Sequence, residues 1–333
     1  YLHYYEHSVV FTRTFFYEKG SEARTMLRFN ACAYAATVFL NGDYVGSHAG
    51  GSTPFVVDVT GAIAEENRLV VIVENTRSRS RVPMSNTDWF NYGGIHRSVE
   101  LLRLPESYVQ HFWVGLVPGS DYKRIFCEVT MAGGRRGAGG GNAGLPESAT
   151  LEIPELSLSQ TIELTDGQGR LELDAAPELW SPENPRLYDA KLTAGKDIVL
   201  ERVGFREIAR EGNEIKLNGE SIFLRGVSMH EESVYNGRTL SEQEIRDNFS
   251  LVKELGGNFA RLAHYPHNGL ASRIADEMGL LLWEEVPVYW AIDFENEATY
   301  DDAKNQLSEL VLRDRNRASV AIWSVGNENP DTD

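Results

Sequence analysis

Short segments in which apolar and polar residues alternate occupy the first hundred residues of the chain. The clearest of them are 9–16, 25–29, 36–40 and 69–73. A period of two predicts β-strands with one buried face. Asn41-Gly42 predicts a tight hairpin, because both residues tolerate positive φ. Many short strands with hardly any helical period predict a β-sandwich or jelly roll.

The stretch from residue 108 to about residue 204 is again strand-like, with predicted strands at 125–130, 149–153, 160–164 and 188–192. A glycine-rich segment, 133–144, separates the first two of these strands. It can bury almost no apolar surface, so we predict a flexible hairpin loop or linker. A phosphate-binding loop is disfavoured, because neither a lysine followed by serine or threonine nor a helix pattern comes after the glycines.

After about residue 205 the pattern changes to strands that alternate with amphipathic helices, which predicts βα units and a parallel sheet. The first helix has a capping-box sequence at Ser241 and Glu244, an apolar face that includes Leu255, and a stop at Gly256. The predicted strands are 222–226, 259–263, 280–286 and 320–323, and the later helices are 269–278 and 298–313. Four such units make about half of an eight-stranded barrel, which needs about 250 residues.

Length and composition restrict the function classes. A chain of 333 residues predicts two or three domains. The net charge of -17 argues against a nucleic-acid partner, since such proteins need clustered lysine and arginine. No apolar run is long enough for a membrane span, so we predict none. The localisation stays open, with the cytoplasm and the periplasm as the alternatives for a soluble protein. Cys32 and Cys127 lie in different predicted modules and are predicted to be buried without a disulfide.

Polar or titratable side chains end each predicted strand of the third module. They are His230, then Arg261 and His264, then Glu284 and Glu285, then Asn327 and Glu328. The carboxyl ends of parallel strands meet at one rim, so we expect these residues to converge there. Each of them alone has an ordinary structural explanation, such as a packed loop histidine. No His-x-x-x-His or similar ligand spacing occurs, and we predict neither a catalytic metal nor a cofactor.

Four stretches resemble glycoside hydrolase family 2 in both content and order. They are Asp-Trp-Phe-Asn-Tyr-Gly-Gly-Ile-His-Arg at 88–97, Asn-Phe-Ala-Arg-Leu-Ala-His-Tyr-Pro at 258–266, Asp-Glu-Met-Gly at 276–279, and the run 314–328 that ends in Trp-Ser-Val-Gly-Asn-Glu. The resemblance implies a multidomain β plus α/β fold. Its parts are a sugar-binding-like jelly-roll β-sandwich at 1–105, an immunoglobulin-like β-sandwich at 106–205, and the truncated N-terminal half of a TIM barrel, (β/α)8, at 206–333.

The resemblance also implies a retaining β-glycosidase that acts on terminal β-linked sugars. The 88–97 stretch and the ending Trp-Ser-Val-Gly-Asn-Glu-Asn-Pro-Asp-Thr at 323–332 look most like those of β-glucuronidases. In the family pattern Glu328 is the general acid/base and Asn327 binds the sugar 2-hydroxyl. The implied substrate-lining residues are Asp88, His230, Arg261, His264 and Glu285.

The nucleophile is missing from this pattern. Retention needs a second carboxyl group about 5 Å from the acid/base, and the family places it on a seventh barrel strand. Glu284 and Glu285 lie on the third strand instead, so we expect the chain alone to be inactive. Two alternatives stay open: a β-galactosidase of the same family, and a catalytically inactive carbohydrate-binding fragment.

The 88–97 loop also has a purely structural alternative, in which Tyr92 and Arg97 form hydrogen bonds inside the first module.

The expected partner is a carbohydrate substrate, not a nucleic acid or a membrane. Association into a homo-oligomer stays open, because half a barrel would expose sheet edges and apolar helix faces.

Overall fold

The structure, a computed structural model, describes residues 6–136 and 142–330. The centre of the predicted glycine-rich loop lies outside these residues, and its flanks pair as two short strands, Arg135–Arg136 and Asn142–Ala143. Among the described residues, no helix is long and apolar enough to cross a membrane.

The first module packs two antiparallel sheets around one apolar core. Its strands are β1 (Ser8–Phe16), β2 (Arg24–Phe29), β3 (Cys32–Ala33), β4 (Ala35–Leu40), β5 (Asp43–Ala49), β6 (Phe55–Asp58), β7 (Glu66–Glu74), β8 (Gly94–Ile95) and β9 (Val99–Leu104). One sheet has the order β1-β7-β4-β5 and the other β6-β2-β9. Side chains of both sheets, such as Phe29 and Val71, share the core. The predicted Asn41-Gly42 hairpin is confirmed, with φ values of 56° and 98°.

The middle module repeats this arrangement with two more antiparallel sheets. Its strands are β10 (Ser107–Leu116), β11 (Arg124–Gly133), β12 (Arg135–Arg136), β13 (Asn142–Ala143), β14 (Ser148–Ile153), β15 (Leu158–Glu163), β16 (Gln168–Asp174), β17 (Tyr188–Ala194) and β18 (Asp197–Val203). The main sheets have the orders β10-β11-β16 and β15-β14-β17-β18. Cys127 is buried in their common core and Cys32 in the core of the first module, both as free thiols, as predicted.

A small antiparallel sheet precedes the βα units and corrects one prediction. It consists of β19 (Ile208–Glu211), β20 (Glu214–Leu217) and β21 (Glu220–Ile222). The predicted strand at 222–226 is wrong, because Ile222 ends β21 and the parallel sheet begins only at Gly226. The apolar run at Ile222 and Leu224 packs against the buried Trp180 of the middle module. Its hydrophobicity therefore reflects contact between modules and not a strand of the sheet.

The third module is a parallel sheet with helices between its strands, as predicted. It contains β22 (Gly226–Met229), α1 (Glu242–Glu254), β23 (Phe259–Leu262), α2 (Gly269–Met278), β24 (Leu281–Glu285), α3 (Glu297–Asp314) and β25 (Val320–Ser324). The sheet order is β22-β23-β24-β25. The capping box is present at Ser241 and Glu244. Leu255 was wrongly assigned to the apolar face, because it caps the helix end and is 79% exposed.

A buried ion-pair cluster joins the first module to the third. One Nη of Arg97 donates to Glu231 Oε2 at 2.7 Å and to the Pro266 carbonyl at 2.8 Å. The other Nη donates to the Ser52 carbonyl within its own module. The second oxygen of Glu231 accepts the backbone N–H of Asn268 at 2.8 Å, just before α2. Arg97 therefore connects two modules and is not confined to the first, as the structural alternative would require.

The electrostatics of this cluster follow from its burial. Burial alone would raise the pKa of Glu231, but Arg97 and the neighbouring cations lower that pKa to about 2. Burial lowers the pKa of His267 to about 4. Burial also holds the pKa of His96 well below its usual range. The cluster is thus built from the Glu231 carboxylate, the guanidinium groups of Arg97 and Arg238, and histidines that are neutral at neutral pH.

We expect Glu231→Gln to lower the free energy of unfolding by about 3–5 kcal/mol, because it leaves the Arg97 charge buried without its carboxylate. Urea titration followed by intrinsic fluorescence measures this loss. Glu277→Gln is the matched control, since Glu277 pairs with Arg202 and Arg246 at a partly exposed site. Its cost should stay below about 1 kcal/mol. Equal costs for the two variants would contradict the role of the buried pair.

The free energy of unfolding should also decrease as the pH falls through the range in which His267 binds a proton only in the unfolded chain. Between pH 6.5 and about 4 the unfolded chain binds a proton at this residue while the folded chain does not. The free energy of unfolding should therefore decrease by up to about 3 kcal/mol across that pH range. Urea midpoints measured from pH 7 to pH 4 should show a shallower decline for His267→Gln, whereas the exposed-site control His7→Gln should follow the unchanged protein.

Candidate active site

Arg261, at the end of β23, holds the ends of three neighbouring strands together. Its Nη2 donates to Glu285 Oε2 of β24 at 2.8 Å and to Asn327 Oδ1 beyond β25 at 2.6 Å, and its Nε donates to Glu285 Oε2 at 3.1 Å. Glu285 is fully buried. This forked contact orients both the carboxylate of Glu285 and the amide of Asn327. The predicted convergence of Arg261, Glu285 and Asn327 is present.

Two predicted histidines lie beside this pair. The Nδ1 of His264 forms a hydrogen bond with Glu285 Oε1. The ring of His230 meets the ring of His264 edge to face, with centroids 5.5 Å apart. Burial, followed by the nearby His264, lowers the pKa of His230. His230 is therefore a neutral hydrogen-bonding group in this site at neutral pH, with its Nδ1 3.3 Å from the hydroxyl of Tyr265.

The first module reaches this rim through Asp88 and Trp89. The indole of Trp89 packs edge to face on Tyr289, with centroids 4.8 Å apart, and lies within 6 Å of the rings of His230 and His264. Burial, followed by a hydrogen bond to Asp88, raises the pKa of Tyr289. Asp88 is thus brought to the site by the aromatic side chain that follows it. Trp89 was not among the predicted site residues, although an aromatic residue next to a loop carboxylate is a usable signal.

Glu328 is exposed at the open end of the sheet and is held from two sides. Its Oε2 accepts the indole N–H of Trp290 at 2.8 Å and the Asn327 amide at 3.3 Å. The backbone of Asn327 donates to Val288 at 2.8 Å and accepts from Trp290 at 3.0 Å. The sequence analysis missed Tyr289 and Trp290. The signal was their position in Val-Pro-Val-Tyr-Trp, directly after the carboxylates that end β24.

Glu284 does not belong to the rim, which corrects the expectation that both carboxylates of β24 converge there. Side chains alternate along a strand, so Glu284 points away from Glu285 and into the helical layer. It lies beside Asp314, with Arg313 at 3.9 Å. Burial, followed by the charge of Asp314, raises the pKa of Glu284 well above its usual range. Glu284 therefore shares the buried interior with Asp314, where burial disfavours its charged form.

A cavity of about 470 Å³ opens beside Asp88. Asn75, Thr87 and Phe90 line it from the first module, and His230 and Glu232 line it from the third. Glu328 is not among the residues that line this cavity. Its size falls in the usual range for small-molecule sites, about 300–1,000 Å³.

Within the described ranges, no group of three histidine, cysteine, aspartate or glutamate side chains has the geometry to hold a metal ion. Glu285 is held by Arg261 and His264, and Glu328 is held by Trp290 and Asn327. The arrangement offers proton transfer at Glu328 and hydrogen bonding from its neighbours.

These features define a multidomain protein in which β modules support a parallel βα sheet with a carboxylate site at its rim. Three family descriptions match the chain: the sugar binding domain of glycosyl hydrolases family 2 at residues 2–105, glycosyl hydrolases family 2 at 147–206, and the TIM barrel domain of the same family at 208–332. Together they cover most of the sequence. The chain belongs to glycoside hydrolase family 2.

Individual relatives agree with this assignment. A Formosa agariphila protein provisionally named β-glucuronidase is 30% identical over 91% of this chain and 37% of its own length. A β-galactosidase of Thermoanaerobacter pseudethanolicus is 29% identical over 92% of this chain and 43% of its own length. The solved β-galacturonidase of Eisenbergiella tayi, bound to galacturonate, is 27% identical, with a TM-score of 0.85 over 96% of this chain and 58% of that one. This chain therefore spans only part of the length of these relatives.

The two adjacent carboxylates of β24 should differ in how much the same substitution destabilises the protein. Glu285→Gln removes the fully buried carboxylate that pairs with the partly exposed Arg261 and should lower the free energy of unfolding by about 3–5 kcal/mol. Burial already disfavours the charged form of Glu284, so Glu284→Gln should cost no more than about 1 kcal/mol. Urea unfolding at pH 7 compares them. A larger loss for Glu284→Gln than for Glu285→Gln would contradict the different environments assigned to the two carboxyl groups.

Proposed function

We propose that this chain is the acid/base-bearing part of a retaining β-glycosidase of the β-glucuronidase type. The observation that carries the proposal is the exposed Glu328 carboxylate, held by Trp290 and Asn327 beside the Arg261–Glu285 pair. A general acid must reach substrate and still be held in one orientation. Glu328 meets both requirements, since its carboxylate is open to solvent and its Oε2 is held by two donors.

In the proposed first step Glu328 donates a proton to the glycosidic oxygen, the bond from that oxygen to the anomeric carbon breaks, and a nucleophilic carboxylate, proposed below to lie outside this sequence, forms a bond to the anomeric carbon. In the second step the same group removes a proton from the water that releases the sugar. Asn327 is oriented for binding a sugar hydroxyl, because Arg261 donates to its Oδ1 and thereby turns its Nδ2 toward Glu328. This orientation supports the proposed contact of Asn327 with the 2-hydroxyl.

The remaining predicted residues form the proposed sugar-binding wall. Asp88 supplies a carboxylate that can accept hydrogen bonds from neighbouring hydroxyl groups, and His230 supplies a neutral ring. Arg261, His264 and Glu285 act mainly on one another, so their proposed role is to shape the floor of the site. Trp89 adds an aromatic face between Asp88 and the two histidines.

We propose that the nucleophile comes from outside this sequence. Glu285 is the rim carboxylate of the neighbouring strand β24, but it is fully buried and its two oxygens are held by Arg261 and His264. A nucleophile needs an oxygen free to attack the anomeric carbon. The family pattern, with its glutamate on a seventh strand, is consistent with this proposal. The chain alone would then bind sugar without turning it over.

The proposed sugar is a β-linked uronic acid. Support comes from the relatives named for β-glucuronide and β-galacturonide chemistry and from the resemblance of the 88–97 loop. A β-galactoside is the second candidate, because the Thermoanaerobacter pseudethanolicus relative carries that name. Arg261 already pairs with Glu285, so we propose that the contacts to a uronate carboxylate also lie outside this sequence.

The three modules have proposed boundaries and roles. We propose a jelly-roll module at 1–105, an immunoglobulin-like module at 106–205 and a barrel module at 206–333, as the sequence patterns indicate. The jelly-roll module would deliver Asp88 and Trp89 to the site, and the middle module would support the barrel. Trp180 illustrates this support, because its indole N–H donates to the Asp276 carbonyl of α2 at 2.9 Å.

The proposal predicts that Glu328→Gln in the complete protein lowers kcat/KM on aryl β-glucuronides by about 10²–10⁴-fold, the usual contribution of general acid catalysis. The loss should be larger for phenyl than for dinitrophenyl leaving groups, which need little protonation. Glu295→Gln, a change at an exposed loop carboxylate, is the control and should leave kcat/KM unaltered.

Four outcomes separate the alternatives. Faster turnover of the aryl β-galactoside would select the second sugar. Unchanged kcat/KM for phenyl glycosides in Glu328→Gln would contradict the acid/base role. Turnover by the 333-residue chain alone would contradict the proposal that the nucleophile lies elsewhere. Glycan binding by the complete protein without hydrolysis would favour a binding function.

A further inference from the structure

The segments that follow β24 and β25 are clasped together by backbone and side-chain hydrogen bonds. Asn327 N–H donates to the Val288 carbonyl at 2.8 Å, and Trp290 N–H donates to the Asn327 carbonyl at 3.0 Å. The amide of Asn329 donates to the Trp290 carbonyl at 2.8 Å. These contacts alternate between the two segments, so residues 288–290 and 327–329 form one unit at the rim.

Segments 288–290 and 327–329, joined by these hydrogen bonds and called the clasp below, hold two residues in an uncommon backbone conformation. Trp290 has a φ of 48° and Glu328 a φ of 50°, both in the left-handed region that side chains of this size rarely adopt. Such conformations persist where the surrounding contacts determine them. Here they turn the two side chains toward each other and bring the indole N–H of Trp290 to 2.8 Å from Glu328 Oε2.

The contact distinguishes the two oxygens of Glu328. An indole N–H can only donate, so the oxygen that faces it must act as an acceptor. Trp290 and Asn327 both donate to Oε2. A proton carried by Glu328 therefore belongs on Oε1, and Oε1 is the oxygen available to a glycosidic oxygen. Loss of the indole would free the carboxyl group to rotate and to place its proton on either oxygen.

We propose that Trp290 is a positioning residue that directs the acidic proton of Glu328 to Oε1 and favours the ionised carboxylate after the proton has left. The proposal rests on the acid/base role proposed above. Because the indole is uncharged, its removal leaves the surrounding charges unaltered. Those charges belong to the Arg261–Glu285 pair of β23 and β24 and to Asp88 of the first module, and the titratable hydroxyl of Tyr289 lies on the clasp itself.

The test compares Trp290→Phe with the unchanged complete protein on a series of aryl glycosides. We expect kcat/KM to fall about tenfold for phenyl leaving groups and less than twofold for dinitrophenyl leaving groups, because only the former need full protonation. The alkaline limb of the kcat/KM profile should move to higher pH, since loss of a donor disfavours the ionised carboxylate. Trp290→His, which keeps a ring N–H, should recover part of the loss.

Two controls separate positioning from a structural effect. Trp113→Phe removes an indole that packs on Phe126 in the middle module, and it should leave both the leaving-group series and the pH profile unaltered. In a Glu328→Gln background, Trp290→Phe should add no further leaving-group dependence, because the two residues act through one proton. Thermal unfolding of each variant shows whether it is folded.

The outcomes are distinct for the two proposals. An equal fall in kcat/KM for phenyl and dinitrophenyl substrates in Trp290→Phe, with an unshifted pH profile, would overturn the role of Trp290 alone. An absent leaving-group effect in Glu328→Gln would overturn the acid/base assignment and this inference with it. Independent, additive effects of the two substitutions would show that Trp290 acts elsewhere.

Discussion

The buried contact between Arg97 and Glu231 is the constraint on which the composite site depends. Asp88 and Trp89 belong to the first module, whereas the histidines and carboxylates they meet belong to the third. A buried guanidinium and carboxylate tolerate little displacement, because each would otherwise keep an uncompensated charge away from water. The pair therefore fixes how the two modules dock, and Glu231 follows His230 directly in the chain.

The rim of the parallel sheet is organised by a second cation, Arg261. Its planar group contacts Glu285 and Asn327 at once, so the ends of β23, β24 and β25 share one set of hydrogen bonds. Two adjacent residues thus differ in exposure, because Asn327 is almost fully buried and the Glu328 carboxyl group is open to solvent. This division suits general acid chemistry, in which the proton must leave while its carrier keeps its orientation.

Local patterns predicted the elements well wherever one short-range rule dominated. The helix Gly269–Met278 has its predicted bounds, and the capping box at Ser241 and the hairpin at Asn41 are both present. The two wrong predictions, the strand at 222–226 and the rim position of Glu284, have different causes. The run at 222–226 was hydrophobic because it contacts Trp180, and periodicity cannot distinguish such a contact from a buried strand. Glu284 was predicted to lie at the rim because the sequence shows that polar residues end the strand but does not show which face of the sheet each side chain occupies.

The sequence by itself determined the order of modules, the parallel βα pattern and the motif residues Arg261, Asn327 and Glu328, because these depend on residues close in the chain or on recognisable local runs. Only the tertiary structure decided which groups meet. Arg97 and Glu231 are separated by 134 positions, and Trp290 and Glu328 by 38. Contacts of this kind require the packing of whole elements and two left-handed residues, and no local periodicity records them.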